Sequence, residues 1–436
     1  MARSTREFVE SLEHAARSDV GMRRANNQDS HKVVVAQDEQ SWRERGHLFM
    51  VADGMGAHAA GELASKLAVD GVSHLYHHYR ELPLSEALKR SLAETNSDIH
   101  RRGLENPDFH AMGTTASVLV LSPQGALMGH VGDSRIYRLR GNRLDQLTFD
   151  HSLQWELRNI GRLPEDSDLA KAVPKNVITR SLGPNADVEI DLEGPYPLEV
   201  GDTFLLCSDG LTGQVDDYEL AEILANLPPD EAASVLVDLA NLRGGPDNIT
   251  VIIAKIAGIA MAAGENDRAP VSSTGKRSGS ASGLAPWVVS GVCLFLALVL
   301  WFADQSIPAI VSAVAGFISA VVGVALLFRG RGRVDNSVAG DGRLGKGPHA
   351  HAMCKGGDEF MKTLSNVLDE LRDVAQESNW DIEWFQLGEY RRNAAKAAGS
   401  GDYPAAVRQY ATAISFMMDQ LRRQQDREAG DSSIEY

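Results

Sequence analysis

Cysteine is scarce in this chain. Three in 436 residues (Cys207, Cys293, Cys354) stand at no spacing that would make a disulfide framework or a zinc site. Basic charge is short as well: 43 Lys and Arg against 59 Asp and Glu leave a formal net charge of −16. A chain of that balance implies no broad basic surface, which speaks against nucleic-acid binding. The first 20 residues are charged and lack an apolar centre, so no signal peptide is expected there. At 436 residues the chain is too long for one ordinary domain and suggests two or three units.

What is present begins with short apolar runs that end in aspartate. Residues 47–54 read HLFMVADG, 126–134 read ALMGHVGDS and 202–210 read DTFLLCSDG. A fourth element, Gly245-Pro246-Asp247-Asn248, precedes the run ITVII at 249–253. Runs this short, rich in branched and aromatic residues, are expected to be buried strands. Each aspartate then sits at a strand end, held rigidly and able to face a cleft. One Asp-Gly alone reads as a hairpin turn. Several carboxylates from distant parts of one chain make sense together if they converge on a hard divalent cation, which takes oxygen ligands and keeps several waters.

The company these residues keep narrows the reading. In order come Arg24 with Asn27-Gln28-Asp29, Val51-Ala52-Asp53-Gly54, Met112-Gly113-Thr114-Thr115, Gly132-Asp133-Ser134-Arg135, Asp150-His151-Ser152, Thr179-Arg180-Ser181-Leu182-Gly183, Ser208-Asp209-Gly210 and Asp247-Asn248. Over about residues 15 to 256 this ordered set resembles the bacterial branch of the metal-dependent type 2C protein serine/threonine phosphatases. The resemblance implies an α+β fold, an α-β-β-α sandwich of two antiparallel sheets flanked by helices. It implies that Asp53 bridges two metal ions, Mn2+ or Mg2+, with the backbone carbonyl of Gly54 beside it. Asp209 and Asp247 complete the second ion's shell, and Asp133 shares a third ion with Asp209. Arg24 resembles the residue that holds the substrate phosphate, and Asp29 a carboxylate that orients metal-bound water. The implied substrates are phosphoserine and phosphothreonine on proteins, with a serine/threonine protein kinase as antagonist.

The chemistry asks for such residues. A phosphomonoester dianion repels anionic nucleophiles and hydrolyses very slowly unaided. Two metal ions can bridge a water, lower its pKa and neutralise the phosphoryl oxygens, and an arginine fork suits two of those oxygens. No cysteine stands in a phosphate-cradling loop, so a cysteine-dependent phosphatase is not expected. Gln28 stands where many members carry glutamate, Ala57 where bacterial members usually have glycine, and Met55 where eukaryotic members place a histidine. The proton donor to the leaving oxygen stays open, and His130 and His151 are expected to be packed rather than catalytic. The segment from Gly161 to Lys175 is expected to form a flap beside the site. The rival from another class is a catalytically silent, phosphatase-like signalling receptor or scaffold.

Beyond the catalytic region, expected at 1–258, the composition changes. Residues 259–283 are small and polar, as in a flexible linker. Two uncharged apolar runs follow at 284–303 and 307–328, each about the 20 residues that cross a bilayer as a helix. Lys276 and Arg277 precede the first and Arg329, Arg331 and Arg333 follow the second, while the turn between them has no basic residue. This bias predicts a two-span plasma-membrane protein (the inner membrane, in a cell that has two) with the catalytic domain and the C-terminus cytoplasmic. A loose linker is expected at 329–357. At 358–425 helical periodicity suggests a hairpin or bundle with one partial tetratricopeptide-like motif, for partner docking or self-association. A disordered tail is expected at 426–436.

Overall fold

The strands form because their side chains are wanted on both faces. In the computed structural model β1 (Leu12–Asp19), β2 (Asp29–Val34) and β3 (His47–Met55) are joined by helix α1 (Glu39–Arg45) before β3. Two long helices follow, α2 (Ala60–His78) and α3 (Leu84–Glu105), then β4 (Gly113–Thr114), β5 (Ala116–Ser122), β6 (Gly125–Val131), β7 (Arg135–Arg140) and β8 (Arg143–Gln146). After α4 (Leu153–Asn159) come β9 (Asp191–Tyr196), β10 (Thr203–Cys207), a helical turn α5 (Asp209–Thr212), α6 (Asp217–Asn226), α7 (Pro229–Leu242) and β11 (Ile249–Ile256). The C-terminal part holds β12 (Ala350–Met353), α8 (Gly357–Glu377), α9 (Trp384–Gly399) and α10 (Tyr403–Ser432). The structure describes residues 10–56, 59–159, 161, 173–174, 177–258, 261, 343–354 and 357–432.

One sheet runs in the order β1-β11-β10-β7-β8-β12 and the other in the order β2-β3-β5-β6-β9, with β4 beside β3; neighbours are antiparallel throughout. Alternation along the strands sorts their side chains between layers. In β3, Phe49 and Val51 enter the core between the sheets, while Leu48, Met50 and Ala52 pack with Ala68, Val72 and Leu92 of α2 and α3. In β11, Ile252 and Ala254 face inward, while Ile249, Val251 and Ile253 join Leu236 and Leu239 of α7 on the opposite side. A strand covered on both faces reads as a continuous apolar run, which is why these runs stood out. The expected four-layer sandwich is therefore the architecture of residues 12 to 256.

Two expectations about the C-terminal part are corrected. Residues 343–354, which fall in the stretch expected to be a loose linker, are tied to the sandwich. Ala350–Met353 pairs with β8, and Leu344 pairs with Gly194. The buried carboxylate of Glu193 accepts from the backbone N–H of Lys346 and Gly347 and lies 3.1 Å from His349 Nε2. These partners lie from 150 residues upstream (Gly194 to Leu344) to more than 200 (β8 to Ala350–Met353), so local composition carries no trace of them. The three helices are likewise no separate module. Phe360, Leu364, Tyr410, Ile414 and Met417 share one apolar core with Leu220, Leu224 and Leu236, and the catalytic region and residues 339–436 form one compact unit. The last helix continues to Ser432, past the expected start of the disordered tail. Apart from Met261, the linker expected at 259–283 lies outside the described residues, as do both expected spans, 284–303 and 307–328. Among the described residues no helix is long and apolar enough to cross a membrane.

A shared core implies shared stability. Ile414→Ala, at a fully buried position, should cost about 2–5 kcal/mol. Hydrogen exchange should quicken in β11 as well as in α10. Unchanged protection of β11 would mean that the helices fold apart from the sandwich.

Candidate metal centre

The acidic residues arrive at one place because strand ends bring them there. The register of β2 on β3 sets Asp29 opposite Asp53. Asp209 opens the helical turn that follows β10, and Asp247 immediately precedes Asn248 and β11, the strand paired with β10. A cleft of about 480 Å³ is lined by Arg24, Asp133, Asp209 and Asp247, with Asp150 and Trp155 on its wall. Asp53 lies close enough to feel the charges of Asp29, Asp209, Asp133 and Asp247. The other four carboxylates named from the sequence are thus all within electrostatic reach of Asp53.

Their backbones are pinned by side chains. Asp53 N–H donates to Thr115 Oγ1 at 2.8 Å, and its carbonyl accepts from Thr115 N–H and Thr114 Oγ1, both at 2.9 Å. Thr115 is held in turn against Ser134 Oγ at 2.7 Å. Asn248 accepts from Gln28 N–H through Oδ1 and donates through Nδ2 to the carbonyls of Val20 and Asn26, so one amide fixes the whole N-terminal loop. Gly54 has no room for a side chain: a Cβ there would stand 2.1 Å from the carbonyl oxygen of Gly61. That close approach is the physical reason a glycine follows Asp53.

The carboxylates are crowded beyond what water would allow. Burial, opposed by a hydrogen bond from Ser208 and raised further by Asp209 and Asp247, lifts Asp29 to about 7. Burial and the neighbouring Asp209 lift Asp133 to about 8. Asp53 is pushed well above the carboxylate range by burial and then by Asp29, and Asp209 is raised by burial and by Asp247. Buried oxygens of three members, Oδ1 of Asp29, of Asp133 and of Asp209, have no hydrogen-bond partner. Orphaned anionic oxygens in a half-open cleft suit a hard cation, which supplies the missing positive charge and keeps waters on its open side. Among the described residues no three acidic, histidine or cysteine side chains close around a single point.

Arg24 lies at the cleft mouth, Nη2 2.8 Å from Asp247 Oδ2, both side chains partly in solvent. Asp29 is fully enclosed, its Oδ2 accepting from Ser208 Oγ at 2.7 Å. The two histidines expected to be packed are packed. His130 is buried against Ser117 and the carbonyls of Gly132 and Phe149, and burial drives its pKa down to about 3. His151 Nδ1 accepts from Gly132 N–H while Nε2 faces Asp191 at 3.0 Å. His58 and Ala57 lie outside the described residues, as does most of the expected flap at 161–175. Sequence reasoning gave no role to Trp155 or Gln214 on the cleft wall. A lone tryptophan and a lone glutamine on unrelated elements carry no spacing signal.

Comparison with known proteins agrees with this geometry. The family model described as Protein phosphatase 2C matches residues 22–232. A serine/threonine phosphatase, stp, of Listeria monocytogenes is 37% identical over 242 residues, which are 54% of this chain and 93% of that protein. The crystal structure of the Mycobacterium tuberculosis serine/threonine phosphatase PstP/Ppp has a TM-score of 0.50 and 37% identity over 57% of this chain and 99% of that one. The catalytic domain of a serine threonine protein phosphatase PstP in complex with two manganese ions has a TM-score of 0.48 and 35% identity over 57% and 99% of the two chains. With 93% of the Listeria phosphatase matched and the sandwich in place, the chain belongs to the protein phosphatase 2C family and is a metal-dependent serine/threonine protein phosphatase.

Proposed function

We propose that this phosphatase is held at a membrane by the apolar runs 284–303 and 307–328. On this reading its cytoplasmic catalytic body removes phosphate from phosphoserine and phosphothreonine in proteins, opposing a serine/threonine kinase. The observation that carries the site assignment is the set of buried, unpartnered oxygens of Asp29, Asp133 and Asp209 around a cleft with an arginine at its mouth. Asp53, the Gly54 carbonyl, Asp209 and Asp247 would hold two Mn2+ or Mg2+ ions, and Asp133 with Asp209 a third. Bound divalent ions supply positive charge for the phosphoryl oxygens and an acidified water at neutral pH.

The chain's own residues do the rest. Arg24 spends one nitrogen on Asp247, and its planar fork has further donors for phosphate oxygens. Because that ion pair is half exposed, trading a carboxylate for a phosphate is a small step for the side chain. Asp29 receives Ser208 Oγ on one oxygen, and its other oxygen is buried without a hydrogen-bond partner. Hydrogen bonds with Thr115, itself held by Ser134, and with Asn248 hold the backbone at Asp53 and Gln28 in place before substrate arrives, so little reorganisation is left to the reaction. The membrane reading rests on length and charge bias: two uncharged runs of bilayer length with arginines and lysines outside them.

Four outcomes are expected. Asp209→Asn and Asp53→Asn should each lower Mn2+-dependent hydrolysis of a phosphothreonine peptide by about 100-fold or more; full activity in both would remove the assignment. In chelator, the same variants should melt at higher temperature than the parent chain, because each removes a charge from a crowded set. Adding Mn2+ at about 100 times its Kd should stabilise the parent by roughly 2.7 kcal/mol in calorimetry, with most of that gain missing from Asp209→Asn. For topology, a reporter fused after Tyr436 should read cytoplasmic; a signal from the far side of the membrane would refute the two-span anchor.

A further inference from the structure

Among the described residues, the side chain of Arg422 joins the C-terminal helices to the end of β1, from which the loop carrying Arg24 departs. Helix α10 lies against α7 with Val407, Tyr410, Ile414, Met417, Met418 and Leu421 buried at intervals of three and four. Two arginines flank that stripe. Arg408 Nε meets Glu231 Oε2 at 2.9 Å, an exposed pair remote from the N-terminal loop. Arg422 is divided between two carboxylates: Nη2 lies 3.0 Å from Asp19 Oδ2, and Nη1 lies 3.2 Å from Asp238 Oδ1.

Asp19 is the last residue of β1, and its two oxygens do different things. Oδ2 takes Arg422; Oδ1 accepts from Gly21 N–H at 2.9 Å and from Asn241 Nδ2 at 3.0 Å. The turn so formed has no slack. Gly21 sits at φ +80°, and a Cβ there would lie 2.1 Å from the carbonyl oxygen of Asp247. The next residue, Met22, donates its N–H to Gly245 O at 2.8 Å, and Arg24 then meets Asp247. One carboxylate therefore receives the C-terminal helix on one oxygen and shapes, with the other, the turn that leads to Arg24. A guanidinium that bridges two acids resists displacement better than a single exposed pair.

We propose that Arg422 is a positioning residue for Arg24, so that docking of the C-terminal helices sets the enzyme's affinity for phosphorylated substrate. This rests on the reading of Arg24 as the phosphate-holding residue. Loss of Arg422 frees Asp19 to swing toward solvent, loosens the turn at Gly21 and lets Arg24 wander from the cleft mouth. Asp53, which would bridge the metal ions, is anchored by Thr115, on a route that does not pass through Asp19. The expected signature is a change in KM at unchanged Mn2+ dependence.

The test is steady-state kinetics of the full chain in detergent micelles, at saturating Mn2+, on a phosphothreonine peptide. Four proteins enter beside the parent: Arg422→Ala, Arg24→Ala, the double variant, and Arg408→Ala as a control for helix docking alone. Arg422→Ala should raise KM about fivefold or more with kcat and the Mn2+ activation midpoint held, and should add nothing in the Arg24→Ala background. Arg408→Ala should leave KM where it was. If Arg422→Ala does not fold, Arg422→Lys, which can reach only one of the two acids, should show a partial rise in KM. A normal KM in Arg422→Ala alongside a raised one in Arg24→Ala overturns this inference alone, as do fully multiplicative effects in the double variant. A normal KM in Arg24→Ala removes the phosphate-holding role itself, and the positioning role with it.

Discussion

Like charges gathered in a poorly solvated place are the constraint around which this molecule is arranged. Asp29, Asp53, Asp133, Asp209 and Asp247 would separate if the chain allowed it, since each raises the energy of its neighbours' ionised forms. They stay together because each sits on a strand or within two residues of one, and the strands beside Asp53, Asp133, Asp209 and Asp247 are buried on both faces. The sandwich core of Phe49, Val51, Leu206, Ile252 and their neighbours holds the strand ends still. The apolar layers thus do more than fold the chain: they keep apposed a set of anions that a cation can then satisfy. Stability lost at the site in the absence of metal is the condition for metal affinity in its presence.

That dependence explains which parts of the architecture could be read in advance. Buried strands announce themselves by apolar runs, and the ligand candidates announce themselves by ending those runs, as in Ala52-Asp53-Gly54 and Ser208-Asp209-Gly210. The helices α8 to α10 were legible from periodicity, Leu364, Val367, Leu368 and Leu371 among them. Their partner was not. The stripe on α10 would look the same whether it faced another helix, a second copy or the sandwich, and only the fold shows that it meets α7. The strand at Ala350–Met353 was invisible for a similar reason. Its sequence is short, and what holds it is pairing with β8, together with the grip of Glu193 on the residues just before it, partners with no spacing relation to it.

The supporting residues of the site were half visible. Thr115, Ser134 and Asn248 fall inside the ordered motif string, yet nothing in a string says which backbone group a threonine or asparagine side chain will hold. Asn248 shows the difference. It looks like a companion of Asp247, and in the fold it is the clamp that ties Val20, Asn26 and Gln28 to the end of β11. A departure such as Gln28 then has a concrete meaning. The backbone of residue 28 is held by Asn248 and its carbonyl accepts from Gly54 N–H and Ser65 Oγ, so the loop keeps its shape whichever side chain stands there. Replacing a glutamate by glutamine at that point changes charge beside the metal ligands, not geometry.

The arrangement of the C-terminal part bears on how such an enzyme can be governed. Residues 343–354 and 357–432 give the sandwich an edge strand and three helices, and the last helix lies against α7 and the end of β1. Helix α10 packs on α7, α7 leads through Gly244 and Gly245 to Asp247, and Asp247 faces Arg24. The catalytic cleft and the C-terminal helices are therefore linked through two short loops, each fixed by a few hydrogen bonds rather than by a large apolar contact. Apolar docking supplies the energy that keeps the helices in place; the polar contacts at Asp19 and Asp238 supply the direction. A change that weakens docking by the worth of a few buried side chains acts on the loop that carries Arg24 before it acts on the strands, because the strands are buried on both faces and the loop is not.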